Sequence, residues 1–328
     1  GGLVVNMAVS VDGRSPIGAR VRRIDEPVLV FCQGDSRDRQ ICDSLSDLED
    51  FAQPLAPGAL LKAAVLCTEI VSLSSRLSLA EQLKEQGGGY EICTTSVLPT
   101  GSGLGTSSIL AGALLALLGE CCGFRYDRPS LIHAVLRLEQ MLTTGGGWQD
   151  QVGGLLPGIK RSWCPARIPV HVETENLDLN DDFLSELNQH IVLVYTGRAR
   201  LARNLLQDVI RRWYARMPQT VQLADELVAN AERMCEALTN SDLETVGTSL
   251  SRYYEQKKRM AGGVEPAVVS RILEVLRPHV HGAALTGAGG GGFMLVIAKE
   301  PNAKESFKAL LTSGLDFGRT SFHDVEID

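Results

Sequence analysis

Three glycine-rich stretches carry most of the side chains in this sequence that are able to do chemistry. The first, PTGSGLGTSS, runs from Pro99 to Ser108 between a strand-like run and a helix-like one. Gly101, Gly103 and Gly105 let the backbone bend tightly and approach a ligand, and the helix that follows offers unpaired N–H groups and the positive end of its dipole. The combination is a phosphate cradle. Thr106, Ser107 and Ser108 add hydroxyls at the same helix start, any of which can cap the helix or reach a magnesium ion. A P-loop would need Lys followed by Ser or Thr after its second glycine, and a dinucleotide fingerprint would need glycine where Thr106 stands. Neither pattern is met.

The second stretch, LEQMLTTGGGWQDQVGG, spans Leu138 to Gly154 and reads as a helix end passing into a loop with two acids. Glu139 lies beside an apolar stripe of Leu131, Val135, Leu138 and Leu142, which turns its carboxylate toward the interior or a cleft edge. Asp150 follows three glycines and a tryptophan, in a loop where an acid also has the option of bonding the local backbone. Magnesium at nucleotide phosphates takes only one or two oxygen ligands from the protein, so a Ser and a Glu suffice. Phosphoryl transfer also needs a group that orients or deprotonates the attacking hydroxyl, which suits the second carboxylate. The third stretch, LTGAGGGGFML from Leu285 to Leu295, is too glycine-rich for a strand interior. It is either a turn that another backbone abuts or a loop that touches a ligand.

These stretches need elements to hold them. Alternation over Leu3 to Val11, a turn at Asp12–Gly13, then Arg20 to Ile24 and Val28 to Phe31 predict a hairpin and a further strand. Ala59 to Val71 and Leu77 to Lys84 have helical spacing, and Tyr90 to Val97 is a strand leading into the first glycine turn. Helices are predicted over Thr106 to Leu118 and Pro129 to Leu142, and a strand over Ile191 to Tyr195. Four helices follow, over Leu201 to Trp213, Val221 to Leu238, Leu243 to Met260 and Pro266 to Val280. Strands at Ala283 to Thr286 and Phe293 to Ala298 bracket the third glycine stretch, before a helix from Ala303 to Leu311 and a closing strand from Thr320 to Ile327. The architecture is α+β.

Composition narrows the field. At 328 residues, 44% hydrophobic and 22% charged, the chain has enough material for one large domain or two lobes. A net charge of −7 provides no basic footprint for nucleic acid. Lys257, Lys258 and Arg259 cluster, but on a helical pattern beginning near Asp242, which reads as a solvated face. The longest apolar run, Ile109 to Leu118, is well short of the roughly 20 residues of a membrane span, and the N-terminal GGLVVNMAVSVDG lacks the features of a secretory signal. It reads as a strand cut from something longer. Eight cysteines without a CxxC pair point to reduced thiols in a cytoplasmic protein. His279 and His281 flank Val280 with no third ligand nearby, which favours a structural role.

In this order and with this content, the three glycine-rich stretches resemble the conserved blocks of the GHMP kinases, the superfamily of galactokinase, homoserine kinase, mevalonate kinase and phosphomevalonate kinase. The resemblance covers nearly the whole chain except its start. Within the superfamily, TTGGGWQDQVGG and VYTGRARLARNLLQD, the latter from Val194 to Asp208, are most similar to fucokinases, which make L-fucose 1-phosphate. The resemblance implies a GHMP kinase fold, with a ribosomal-protein-like α/β N-terminal lobe over residues 1–185. A helical, ferredoxin-like C-terminal lobe would follow over 186–328.

It further implies ATP and Mg2+ as cofactors and L-fucose as the sugar. Pro99, Gly101, Ser102, Gly103, Leu104, Gly105, Thr106 and Ser107 would line the nucleotide. Ser107 and Glu139 would bind magnesium, and Asp150 would be the catalytic aspartate, as base or orienting group for the attacking hydroxyl. Sugar contacts are expected from Trp148, Gln149, Tyr195 and Arg198, and from Gly289 and Gly290. Similar kinases have a segment before the first strand that supplies a basic residue and an Asp-containing sugar-binding stretch. Fucokinases resemble long chains with a guanylyltransferase-like region upstream, so that region is an expected partner. A heptose-phosphate kinase, which shares the GG-x-Q-D-Q loop, and a catalytically silent sugar or nucleotide sensor are the alternative readings.

Overall fold

The computed structural model describes residues 2–34, 39–53, 55–99, 101–198, 203–312 and 319–327. In chain order the elements begin with β1 (Leu3–Met7), β2 (Val9–Val11), β3 (Ile17–Ile24), β4 (Leu29–Gln33) and β5 (Arg39–Cys42), then a 3-10 helix over Leu45–Ala52. Next come α1 (Ala59–Cys67), α2 (Leu79–Glu85), β6 (Gly89–Ser96), α3 (Thr106–Cys121), α4 (Arg128–Met141) and α5 (Gln149–Leu155). They are followed by β7 (Ile159–Trp163), β8 (Glu173–Asn176), α6 (Asp181–His190), β9 (Ile191–Tyr195), α7 (Arg203–Tyr214) and α8 (Pro218–Thr239). The chain continues through α9 (Leu243–Met260), α10 (Ala267–Leu276), β10 (Val280–Leu285), β11 (Phe293–Ala298), α11 (Lys304–Thr312) and β12 (Ser321–Ile327). The predicted start of α7 at Leu201 lies outside the described residues.

Packing divides the chain into two units, each discontinuous in sequence. One holds Gly1–Ser15, Pro99–Gly105 and Val152–Asp328, the other Pro16–Leu98 and Thr106–Gln151. The sequence boundary at 185/186 falls inside the first of these.

In the unit formed by 16–98 and 106–151, a four-stranded sheet has the order β3-β6-β4-β5, antiparallel except for the parallel β4–β6 pair. Successive strand residues face opposite sides. Leu29, Phe31, Tyr90 and Ile92 are fully or nearly fully buried, and α3 packs on β3 as well as against α1 and α4. The alternate position on β6, Glu91, is also buried, and Arg20, Arg22 and Arg39 approach it at 3.6, 3.2 and 3.3 Å. Helix starts follow from capping. Asp127 accepts the Ser130 N–H at 2.8 Å to open α4, with Pro129 in its first turn. Ser78 and Glu81 form a capping box on α2.

The other unit contains a five-stranded antiparallel sheet of order β10-β11-β9-β12-β2 and a three-stranded sheet, β1-β7-β8. Val192, Val194, Met294, Val296 and Leu285 are buried in it. Helix α9 packs on β10 and α8, and α8 also meets β1. No helix among the described residues is long and apolar enough to cross a membrane.

The elements agree with the α+β expectation, but three sequence readings need correction. The first strands form no hairpin: β1 pairs with β7, β2 with β12 and β3 with β6. The Asp12–Gly13 turn closes only a single bridge between Val11 and Arg14. Elements β5, β7, β8, α5 and α6 are additions, being short or polar and so weak in periodicity. Finally, Lys257 is not on a solvated face; it is buried, and its Nζ donates to Leu285 O at 2.6 Å.

Candidate active site

The first glycine stretch is a loop held by its neighbours and by its own Ser102, whose hydroxyl accepts the Leu104 N–H at 3.5 Å. Ser102, almost fully buried, donates its N–H to Pro99 O at 3.1 Å, and its carbonyl accepts the Phe293 N–H at 2.8 Å. Thr100 lies outside the described residues. The third stretch closes on itself through Thr286 N–H, which donates to Phe293 O at 2.9 Å, and is held from outside where Gly290 N–H donates to Val264 O at 2.7 Å and Gly292 N–H to Arg198 O at 2.6 Å. Thr196 bonds Gly292 O through both N–H, at 3.0 Å, and hydroxyl, at 2.8 Å.

A Cβ on Gly292 would fall 2.3 Å from Ser102 O, and one on Gly103 would fall 2.9 Å from Thr286 Oγ1; both residues have φ near +85° (87° and 82°). Only glycine fits such an approach at that φ. Of the two readings left open by the sequence, the one in which another backbone abuts the turn accounts for these contacts. The third stretch is a buttress for the first. Gly289 and Gly290, expected at the sugar, are buried, Gly289 close against Val264 and Gly290 with its N–H donated to Val264 O.

The acids belong to the unit that includes α3 and α4. On α4, Glu139 is 6% exposed. One oxygen, Oε1, accepts the Ser108 hydroxyl of α3; the other, Oε2, accepts Gln151 Nε2 at 3.2 Å. Burial pushes Glu139 up to about 7, with the nearby Asp150 charge adding to that and the two hydrogen bonds opposing it. No Lys, Arg or His among the described residues forms an ion pair with it. The apolar stripe read from the sequence therefore does turn Glu139 inward.

Ser107, paired with Glu139 by resemblance, is exposed, and it is Ser108 that reaches the carboxylate. The reason is helical phase. Successive residues are about 100° apart, and Ser108 shares the buried face with Ala111, Leu115 and Leu118.

Asp150 is not on a loop: it stands in the first turn of α5, half-buried, directly after exposed Gln149 and half-buried Trp148. The preceding glycines are tied to α4, where Gln140 Nε2 donates to Gly146 O at 3.2 Å and the Thr144 hydroxyl to Glu139 O at 3.1 Å. In the other unit, Tyr195 ends β9 with its ring 5.2 Å from that of Phe293, and Arg198 exposes its side chain while its carbonyl holds Gly292. Sequence reasoning gave no role to Gln151, although the polar residue following Asp150 was in plain view. Its burial depends on how α5 packs, which no local pattern encodes.

A glycine loop opening a helix and an inward glutamate paired with a serine of that helix, followed by an aspartate on a short helix, define a class. The sequence matches the GHMP kinases N terminal domain over residues 72–158 and the GHMP kinases C terminal domain over residues 234–313. The chain belongs to the GHMP kinase family. It is 31% identical over 343 aligned residues to the L-fucokinase/L-fucose-1-P guanylyltransferase of Bacteroides fragilis, an alignment covering 100% of this chain and 35% of that protein. To the bifunctional fucokinase/GDP-fucose pyrophosphorylase of Arabidopsis thaliana it is 32% identical, over 96% of this chain and 29% of that protein. The chain thus spans about a third of the length of these curated relatives. In fold it is similar to Lactococcus lactis galactokinase crystallised with galactose, with a TM-score of 0.69 at 15% identity, over 99% of this chain and 93% of that one.

Proposed function

We propose that this chain is the kinase portion of an ATP-dependent sugar 1-kinase. It would transfer the γ-phosphoryl group of MgATP to the anomeric hydroxyl of L-fucose, giving L-fucose 1-phosphate and ADP. The observation that carries the phosphoryl-transfer reading is the Glu139 carboxylate, buried, held by two neutral donors and without a cationic partner among the described residues. A buried carboxylate in that state suits a divalent cation, and magnesium at phosphates needs few protein oxygens. L-fucose as acceptor rests on the likeness to the two fucokinases, which runs along essentially the entire chain.

In this reading Pro99, Gly101, Ser102, Gly103, Leu104, Gly105 and Thr106 line the triphosphate, with the glycine N–H groups and the N-terminus of α3 as donors and Pro99 and Ser102 shaping the loop, since proline has no N–H and that of Ser102 is taken by Pro99 O. Ser107 and Glu139 hold the magnesium, which when bound offsets negative charge on the phosphates. Asp150 accepts the proton of the anomeric hydroxyl as that oxygen attacks the γ-phosphorus; the bond to the bridging oxygen breaks and ADP leaves. Trp148 and Gln149, immediately before Asp150, are the proposed acceptor contacts, with Tyr195 and Arg198 as further ones. The guanylyltransferase named in the relatives supports a longer polypeptide in which the sugar phosphate is passed to nucleotidyl transfer, in the cytoplasm.

The test is ADP release by the chain with MgATP and a panel of free and phosphorylated sugars. L-fucose is expected to give the highest kcat/KM, with the phosphate appearing on the anomeric oxygen by NMR. A preference for a phosphorylated heptose, or nucleotide binding with no turnover on any sugar, would overturn the assignment.

A further inference from the structure

We propose that Gln151 and Ser108 are positioning residues that aim the Glu139 carboxylate at its cation, and that Gln151 Oε1 accepts a hydrogen bond from a water on that cation. The inference rests on the phosphotransfer reading above. Its first basis is the choice of donors. An ionised carboxylate has about four lone-pair sites, and here each oxygen accepts one hydrogen bond, Oε1 from the Ser108 hydroxyl and Oε2 from Gln151 Nε2 at 3.2 Å. That leaves capacity on both oxygens. Lysine or arginine in either place would orient Glu139 equally well but would neutralise it and compete with a metal. Neutral donors fix the direction of the carboxylate and leave its charge for the cation.

The second basis is independent of the first. Gln151 is fully buried, yet its Oε1 has no hydrogen-bond partner among the described residues. Buried amide oxygens are nearly always satisfied, by protein or by ordered water. Gln151 holds Glu139 with one arm of its amide, so the other arm lies within an amide's width of the carboxylate. Magnesium retains several of its waters when few protein oxygens bind it, and such a water is a donor of the kind Oε1 lacks. Because Gln151 directly follows Asp150 in the first turn of α5, the same side chain ties the helix carrying Asp150 to the carboxylate on α4. Residues of this supporting kind commonly govern metal affinity.

The experiment measures Mn2+·ATP binding to the intact chain by electron paramagnetic resonance, alongside metal-free ATP binding in EDTA. Ser108→Ala and Gln151→Leu are expected to weaken Mn2+·ATP binding by about 10–100-fold with metal-free ATP binding unchanged. Ser108→Thr, which keeps the hydroxyl, is expected to bind as wild type. Gln151→Met keeps the length but has neither the donor nor the acceptor, so it should lose about as much as Gln151→Leu. If wild type binds Mn2+·ATP and either Gln151 variant binds it equally well, the positioning role is wrong. If wild type itself binds no Mn2+·ATP, the phosphotransfer reading falls instead. Metal-free ATP binding reports folding of each variant independently of the metal, and Gln151→Met answers the question should the leucine variant fail to fold.

Discussion

The two acids of the second glycine stretch differ in environment, and that difference sorts their roles. Glu139 is buried and pushed up to about 7 chiefly by burial, which makes it a group that welcomes a cation. Asp150 is half-buried at the start of a helix, open enough to meet an acceptor hydroxyl. Two carboxylates held in unlike surroundings are a common way for a site to divide labour. Asp150→Ala should therefore lower kcat by about 10²–10⁴-fold, the usual contribution of a positioned acid or base, while the affinity for MgATP stays nearly intact. Steady-state kinetics together with nucleotide titration check this, and wild-type turnover at saturating sugar would remove Asp150 from the mechanism. At this scale the sequence was a good guide to residue type and a weaker one to neighbours. Glycine spacing and an acid beside an apolar stripe are local facts, whereas the bond from Ser108 to Glu139 depends on which face α3 buries.

Among the elements, loops act through what backs them. The buttress formed by Thr286 to Gly292 leaves no room for a side chain at Gly292, where a Cβ would meet Ser102 O at 2.3 Å with φ at +87°. Gly292→Ala therefore has to displace either the buttress or the loop that Ser102 anchors. Holding a non-glycine residue in such a conformation costs about 1–3 kcal/mol, and about 1.4 kcal/mol of lost loop geometry is tenfold in affinity. The KM for ATP is expected to rise by about that factor, and an unchanged KM would show that the two runs do not depend on each other.

The far end of α5 offers a pH test. Lys160 is fully buried and donates to Leu156 O at 2.5 Å and Gly158 O at 2.9 Å, carbonyls just beyond that helix. Burial pushes its ammonium down to about 8. The unfolded chain keeps this proton to about pH 10.4, so between these values the unfolded state binds more protons and stability climbs with pH. Below about 8 the group is charged in both states and contributes no slope. Thermal midpoints of wild type relative to Lys160→Met should rise from about pH 8 to about pH 10, and parallel curves for the two proteins would refute it.

For the molecule as a whole, legibility fell with sequence distance. Helix α9 over Leu243–Met260 and the strands Ile191–Tyr195 and Phe293–Ala298 match their predicted bounds, because periodicity and capping are local. The pairing of β2 with β12, register Val11 with Val325, joins opposite ends of the chain, and no local pattern announces it. The same is true of the bond from Phe293 to Ser102 and of the contact between α8 and β1.

These long-range links bear on where the chain can be divided. A fragment of residues 186–328 would keep β9 to β12 and the five helices α7 to α11, yet it would lose β2 from the edge of its sheet and β1 from beside α8. The buttress would also lose the loop it supports. Apolar surface on β12 and α8 would then meet water, at about 25 cal/mol per Å², and the edge of β12 would be left unpaired. Expressed alone, this fragment should unfold broadly and at a lower temperature than the intact chain, and adding residues 1–185 as a separate polypeptide should restore a sharp transition. Calorimetry of the fragment decides the matter. A cooperative transition at the midpoint of the intact chain would mean that 186–328 folds by itself, and that its ties to the segments 1–15 and 99–105 add little to stability.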